Sequence, residues 1–143
     1  MHALKSRGYA KVVERLAAPL MLGVLDRDGR FDAVVPKPLH RSRLRRCGFN
    51  QAELLARGVA ARLDAPVFDT LEAVCRTRDQ VELMAAERRA NVEGAYALRG
   101  RLRGRVLLVD HVFTTGATMS ACAETLLRGG VKEVHAVSVC RMQ

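Results

Sequence analysis

The residues best suited to chemistry form one stretch, VLLVDHVFTTGAT, from Val106 to Thr118. Four apolar residues run into an acid, Asp110, followed by His111, two more apolar residues and the loop Thr114-Thr115-Gly116-Ala117-Thr118. Such a loop can curl until successive backbone N–H groups converge on a phosphate; Gly116 supplies the backbone freedom and the threonine hydroxyls add donors. A helix opening behind the loop adds the positive end of its dipole. Asp110, at the tip of the apolar strand, is placed to accept hydrogen bonds from sugar hydroxyls. A simple helix-capping turn would use the same residue types. The position between a buried strand with a terminal acid and a helix favours the phosphate site.

The surrounding pattern supplies the elements that must hold this loop. Arg105 to Val109 reads as a buried strand behind one arginine, Thr118 to Leu127 as a helix stopped by Gly129 and Gly130, and Glu133 to Val139 as a last strand. Upstream, Phe31 to Val35 reads as a short strand ending at Pro36. A helix is expected from Asn50, with Glu53 three residues later in a capping-box-like start and Ala52, Leu55, Val59 and Leu63 on one face. Val67 to Val74 and Ala95 to Leu98 are weaker strand candidates, and Arg99 to Gly104 is a turn. Lys5 to Leu25 has helical spacing interrupted by Pro19. Pro36 to Phe49 reads as a basic loop, and Arg76 to Asn91 as a polar loop with some helix. Strands alternating with helices give an α/β fold, a mostly parallel sheet flanked by helices with right-handed crossovers.

Composition agrees with that class. The 143 residues are 49% hydrophobic and 27% charged, with no tryptophan and 4% aromatics, so an aliphatic core is built from Leu, Val and Ala. The length suits a single domain over residues 1–143. The formal charge of +9 favours a polyanionic partner, and charge alone does not separate a phosphorylated metabolite from a nucleic acid. Four dispersed cysteines, Cys47, Cys75, Cys122 and Cys140, form no C-x-x-C pair, so no metal ligand set is written here and a reducing cytoplasm is expected. No apolar stretch approaches the ~20 residues of a membrane span.

VLLVDHVFTTGAT resembles the phosphoribosyl pyrophosphate signature of type I phosphoribosyltransferases. VVPKPLH at Val34 to His40, GFNQAELLAR at Gly48 to Arg57 and QVELMAAERRANVEGAY at Gln80 to Tyr96 narrow the resemblance to the ComF (competence protein F-like) family. It implies that Asp110 holds a ribose hydroxyl and supports cationic character at the anomeric carbon, with His111 beside it in the catalytic pair. It also implies a 5′-phosphate loop at Thr114, Thr115, Gly116, Ala117 and Thr118, and a pyrophosphate loop at Lys37 and Pro38. Arg76 to Asn91 falls where the family has a flexible loop, with Gln80, Arg88 and Asn91 at recurring positions.

Three departures stand out. His111 replaces the usual second acid, Cys47 replaces the usual Arg before GFNQ, and the family's N-terminal four-cysteine zinc ribbon has no counterpart in this sequence.

The function expected from this resemblance is transfer of a phosphoribosyl group from 5-phosphoribosyl 1-pyrophosphate to a nitrogen acceptor, a base or an amine. Mg²⁺ would be bound through the substrate's pyrophosphate, without a protein metal cluster. The alternative is a non-catalytic accessory that binds phosphoribosyl pyrophosphate or nucleotide and is linked to competence and DNA uptake. The Arg41 to Arg46 cluster fits a solvated or pyrophosphate-steering surface better than a nucleic-acid site, since no aromatic residues interleave with it. The sequence suggests no membrane partner and leaves a homodimer open.

Overall fold

The computed structural model describes residues 30–74, 94–113 and 115–141, together with Lys11 and Arg15, both helical. The rest of the helix expected at Lys5 to Leu25, and the whole segment Arg76 to Asn91, lie outside the described residues.

In chain order the elements are β1 (Ala33–Pro36), α1 (Arg41–Cys47), α2 (Gln51–Leu63), β2 (Leu71–Ala73), β3 (Tyr96–Leu98), β4 (Arg105–Phe113), α3 (Ala117–Arg128) and β5 (Glu133–Arg141). Three strands form a parallel sheet in the order β1-β4-β5. Val67 adds one parallel bridge to Val34 on the far side of β1. β2 and β3 pair antiparallel in a separate small sheet, Ala73 opposite Tyr96, and Arg99 clamps Glu72 through bonds of 2.6 and 2.8 Å.

Alternation along the strands divides the core in two. Val34, Leu107 and Val109 face α2 and meet Leu55, Ala56, Val59 and Ala60. Ala33, Val35, Val106 and Leu108 face the other way and meet Met119, Cys122 and Leu126 of α3. Each fully buried Leu or Val contributes about 1.5–3 kcal/mol of transfer free energy. A strand buried on both faces needs an unbroken apolar run, and Val106 to Val109 supplies it.

The expected basic loop at Pro36 to Phe49 contains a helix. The His40 imidazole accepts from the Ser42 N–H at 3.3 Å, and Gly48, at φ 83°, donates its N–H to the Leu44 carbonyl. α1 buries no residue, so it has no apolar periodicity to betray it, and its ends are set by these caps. Asn50 does cap α2, but through Ala52 N–H at 3.1 Å, while Glu53 pairs with Arg57 at 2.8 Å. The cap is present without the reciprocal half of the box.

Candidate functional site

Strand register creates the centre of the site. Pro36 pairs with Val109, and the Lys37 N–H donates to the Val109 carbonyl at 2.8 Å. Lys37 and Asp110 therefore follow Val35 and Leu108 on the sheet face covered by α3. Their side chains meet, Lys37 Nζ lying 3.2 Å from Asp110 Oδ2.

Asp110 is 1% exposed. Its Oδ1 accepts the His111 backbone N–H at 2.7 Å, and His111 Nδ1 lies 3.1 Å from the same oxygen. That nitrogen is buried and, despite its proximity, not aligned as a hydrogen-bond partner. Burial pushes the Asp110 carboxyl upward. The His111 side chain, the Lys37 ammonium and the His111 backbone N–H outweigh it and hold the group below its ordinary value. The result is a buried carboxylate kept ionised.

Asp110 is not at the tip of its strand. β4 continues to Phe113 because β5 extends alongside it to Arg141, with Val112 opposite Cys140 and Phe113 opposite Arg141. The relevant edge is set instead by β1, which stops at Pro36. Beyond that point the Lys37 side chain reaches the Asp110 carboxylate.

The loop after β4 has the conformation its sequence calls for. Gly116 is the N-cap of α3 at φ 80°, its carbonyl accepts the Ser120 N–H at 2.8 Å, and Ala117 N–H approaches Thr115 Oγ1 at 3.4 Å. A Cβ at Gly116 would stand 2.8 Å from Phe113 Cζ, so the position requires glycine for both backbone and space. Ala117 and Thr118 are buried in the first turn of α3 and Thr115 is exposed. The helix opens one residue earlier than its periodicity suggests. First-turn N–H groups have no intrahelical acceptor, which makes this end suited to an anion. Thr114 lies outside the described residues, as do Gln80, Arg88 and Asn91.

Two contacts escaped the sequence reading. Asn50 caps α2 with its oxygen and donates Nδ2–H to the Lys37 carbonyl at 2.9 Å, tying the Lys37-Pro38 turn to the helix. Pro38 is buried in that turn. Tyr96, on β3, packs against the α3 side of the core, where burial above all pushes its phenol upward. The GFN triplet could have signalled the first contact; nothing in the linear sequence signals the second. Nearby Cys122 is a packing thiol, pushed up to about 12 by burial and, in the same sense, by Asp110, against the opposing effect of Lys37. Among the described residues no three His, Cys, Asp or Glu side chains converge as a metal cluster. No helix among them is long and apolar enough to cross a membrane.

The phosphoribosyl transferase domain model matches residues 50–143, a range that contains Asp110 and the whole Thr114 to Thr118 loop. The chain belongs to the phosphoribosyltransferase domain family. Its parallel sheet flanked by helices is the type I phosphoribosyltransferase-like α/β fold. Within that family it is ComF-like. It is 35% identical to Competence protein F of Haemophilus influenzae across 77% of this chain and 50% of that protein. It is also 35% identical to DNA utilization protein YhgH of Escherichia coli strain K12, and 37% identical to that of Salmonella typhimurium, in each case across 99% of this chain and 65% of the relative. The chain thus spans half to about two thirds of the length of these relatives. The longer alignments take in β1 and Lys37, which the domain match leaves out.

Proposed function

We propose that this phosphoribosyltransferase-family chain binds 5-phosphoribosyl 1-pyrophosphate and transfers its phosphoribosyl group to a nitrogen acceptor. The observation that carries the reading is a buried, ionised Asp110 beside the glycine-capped N-terminus of α3. The loop Thr115 to Thr118 receives the 5′-phosphate on backbone N–H groups and hydroxyls. Asp110 accepts from a ribose hydroxyl and faces the cationic character that develops at the anomeric carbon as pyrophosphate leaves. Lys37 supplies positive charge on the pyrophosphate side.

The residues fit a metal carried by the substrate. Asp110 already has Lys37 on one oxygen and His111 on the other, which suits Mg²⁺ held mainly by phosphate oxygens and water. When bound, the ion would neutralise charge on the leaving pyrophosphate.

The test is pyrophosphate release from phosphoribosyl pyrophosphate with Mg²⁺ and a panel of bases and amines. Acceptor-dependent release supports the transferase. Binding without release across the panel overturns transfer and leaves the second reading, an accessory that senses the same ligand in competence and DNA uptake. The names of the Haemophilus and Escherichia relatives, Competence protein F and DNA utilization protein YhgH, favour that second reading. DNA binding with a steep salt dependence would support it further.

A further inference from the structure

His111 carries an orphaned nitrogen beside the buried carboxylate. Its Nδ1 is enclosed and has no aligned hydrogen-bond partner, yet it lies 3.1 Å from Asp110 Oδ1. That oxygen also accepts the His111 backbone N–H at 2.7 Å, so the carboxylate folds back along its own strand and meets the ring there. The His111 side chain is 30% exposed, and with Nδ1 enclosed the open part of the ring includes Nε2. Lys37 holds the other carboxylate oxygen, Oδ2. β5 sets the uncharged Ser138 opposite Asp110, and Glu53 at the start of α2 is paired with Arg57.

We propose that His111 is the general base of the transfer, taking a proton from the attacking nitrogen at Nε2 while Asp110 orients the ring through Nδ1–H. The inference rests on the transfer reaction proposed above, and it narrows the acceptor to a nitrogen that bears a proton. A buried nitrogen without a partner is costly, and a proton on Nδ1 directed at Oδ1 removes that cost. The same tautomer leaves the Nε2 lone pair facing outward. The small realignment this needs is ordinary for catalytic hydrogen bonds, which tighten when the ligand binds. With pyrophosphate on the Lys37 side, the nucleophile enters from the opposite face of the sugar, toward His111. The nitrogen lone pair forms the bond to the anomeric carbon as the bond from that carbon to pyrophosphate breaks, and that electron pair leaves with pyrophosphate. The N–H proton passes to Nε2, the ionised Asp110 stabilises the imidazolium, and the proton is then released to water.

The test compares native protein with His111→Asn, which keeps a polar side chain without a base, and with His111→Gly, each titrated and assayed well below its measured Tm. Formation of the ribosylated product is followed with phosphoribosyl pyrophosphate, Mg²⁺ and ammonia, aniline, adenine or uracil as the acceptor. Both variants should lose about 100-fold or more in kcat. Their calorimetric affinity for phosphoribosyl pyrophosphate should change by no more than about tenfold. Added imidazole should raise the rate of His111→Gly by about tenfold or more, because a diffusible base then fills the gap left by the ring. Native kcat in His111→Asn, a loss of rate no larger than the loss of affinity, or a loss that imidazole does not restore overturns the base role alone. No ribosylated product from the native protein with any of the four acceptors overturns the transfer reading and this role with it.

Discussion

Lys37 Nζ and Asp110 Oδ2 stand 3.2 Å apart at the ends of two neighbouring parallel strands, the carboxylate almost wholly enclosed and the ammonium mostly so. The pairing follows from strand register, since Pro36 lies beside Val109. On the proposed function, the ligand would place a sugar on Asp110 and a pyrophosphate near Lys37. The pair also couples the site to folding.

Lys37→Met removes the cation and leaves a buried carboxylate to bear its own desolvation. The expected cost at neutral pH is about 1–3 kcal/mol, read from chemical denaturation. The cost has a defined pH dependence. The folded Asp110 carboxyl is held below its unfolded value, so its stabilising contribution is complete above the unfolded value, near 3.9, and disappears as pH falls through the lower folded value. The native protein should therefore lose stability on acidification below about pH 4, and Lys37→Met should lose less over the same range. A pH-independent difference between the two proteins would contradict this coupling.

Asn50 has two separable jobs, and one substitution divides them. Asn50→Ser keeps an N-cap oxygen but lacks the amide N–H that donates to the Lys37 carbonyl, whereas Asn50→Ala loses both. Asn50→Ala should destabilise by about 1–2 kcal/mol and Asn50→Ser by roughly half of that. Both should weaken binding of phosphoribosyl pyrophosphate by loosening the Lys37-Pro38 turn. Equal stability and affinity across all three proteins would reduce Asn50 to a surface residue.

His111 stands where a second acid is usual, and the structure gives its replacement opposing effects. In His111→Asp a second carboxylate lies beside buried Asp110, so the ligand-free protein should lose about 1 kcal/mol through like-charge repulsion and the lost favourable contact. With Mg²⁺ and phosphoribosyl pyrophosphate present, a carboxylate replaces an imidazole as the acceptor. Binding should then tighten by about 5- to 10-fold. Weaker binding in calorimetry would mark His111 as a residue adapted to a different ligand.

Much of this was legible in the sequence, and the exceptions share a physical cause. The apolar run Val106 to Val109 and the stop at Gly129 and Gly130 announced β4 and α3, because burial on both faces and helix termination leave local marks. α1 left none: four arginines, an exposed Leu44 and no buried position look the same in a loop. The extension of β4 to Phe113 depends on the equally long β5, a property of the pair rather than of either strand. Asp110 and the TTGAT loop were identified as site candidates. The Lys37–Asp110 contact was not foreseen, because register between strands about 70 residues apart in sequence is a tertiary outcome. The packing of Tyr96 against the core under α3 is the same kind of relationship.

The central claim is that the loop around Gly116 receives a phosphate, and one titration addresses it most directly. Phosphoribosyl pyrophosphate with Mg²⁺ is titrated by isothermal calorimetry into the native protein and into Gly116→Val, both first checked for native circular dichroism. At φ 80° a β-branched residue is strained, and its Cβ would press on the Phe113 ring 2.8 Å away, so the loop must move. Saturable heat in the native protein, and affinity at least about tenfold weaker in the variant, is the predicted result. No heat in the native protein at millimolar ligand, or unchanged affinity in Gly116→Val, would contradict it.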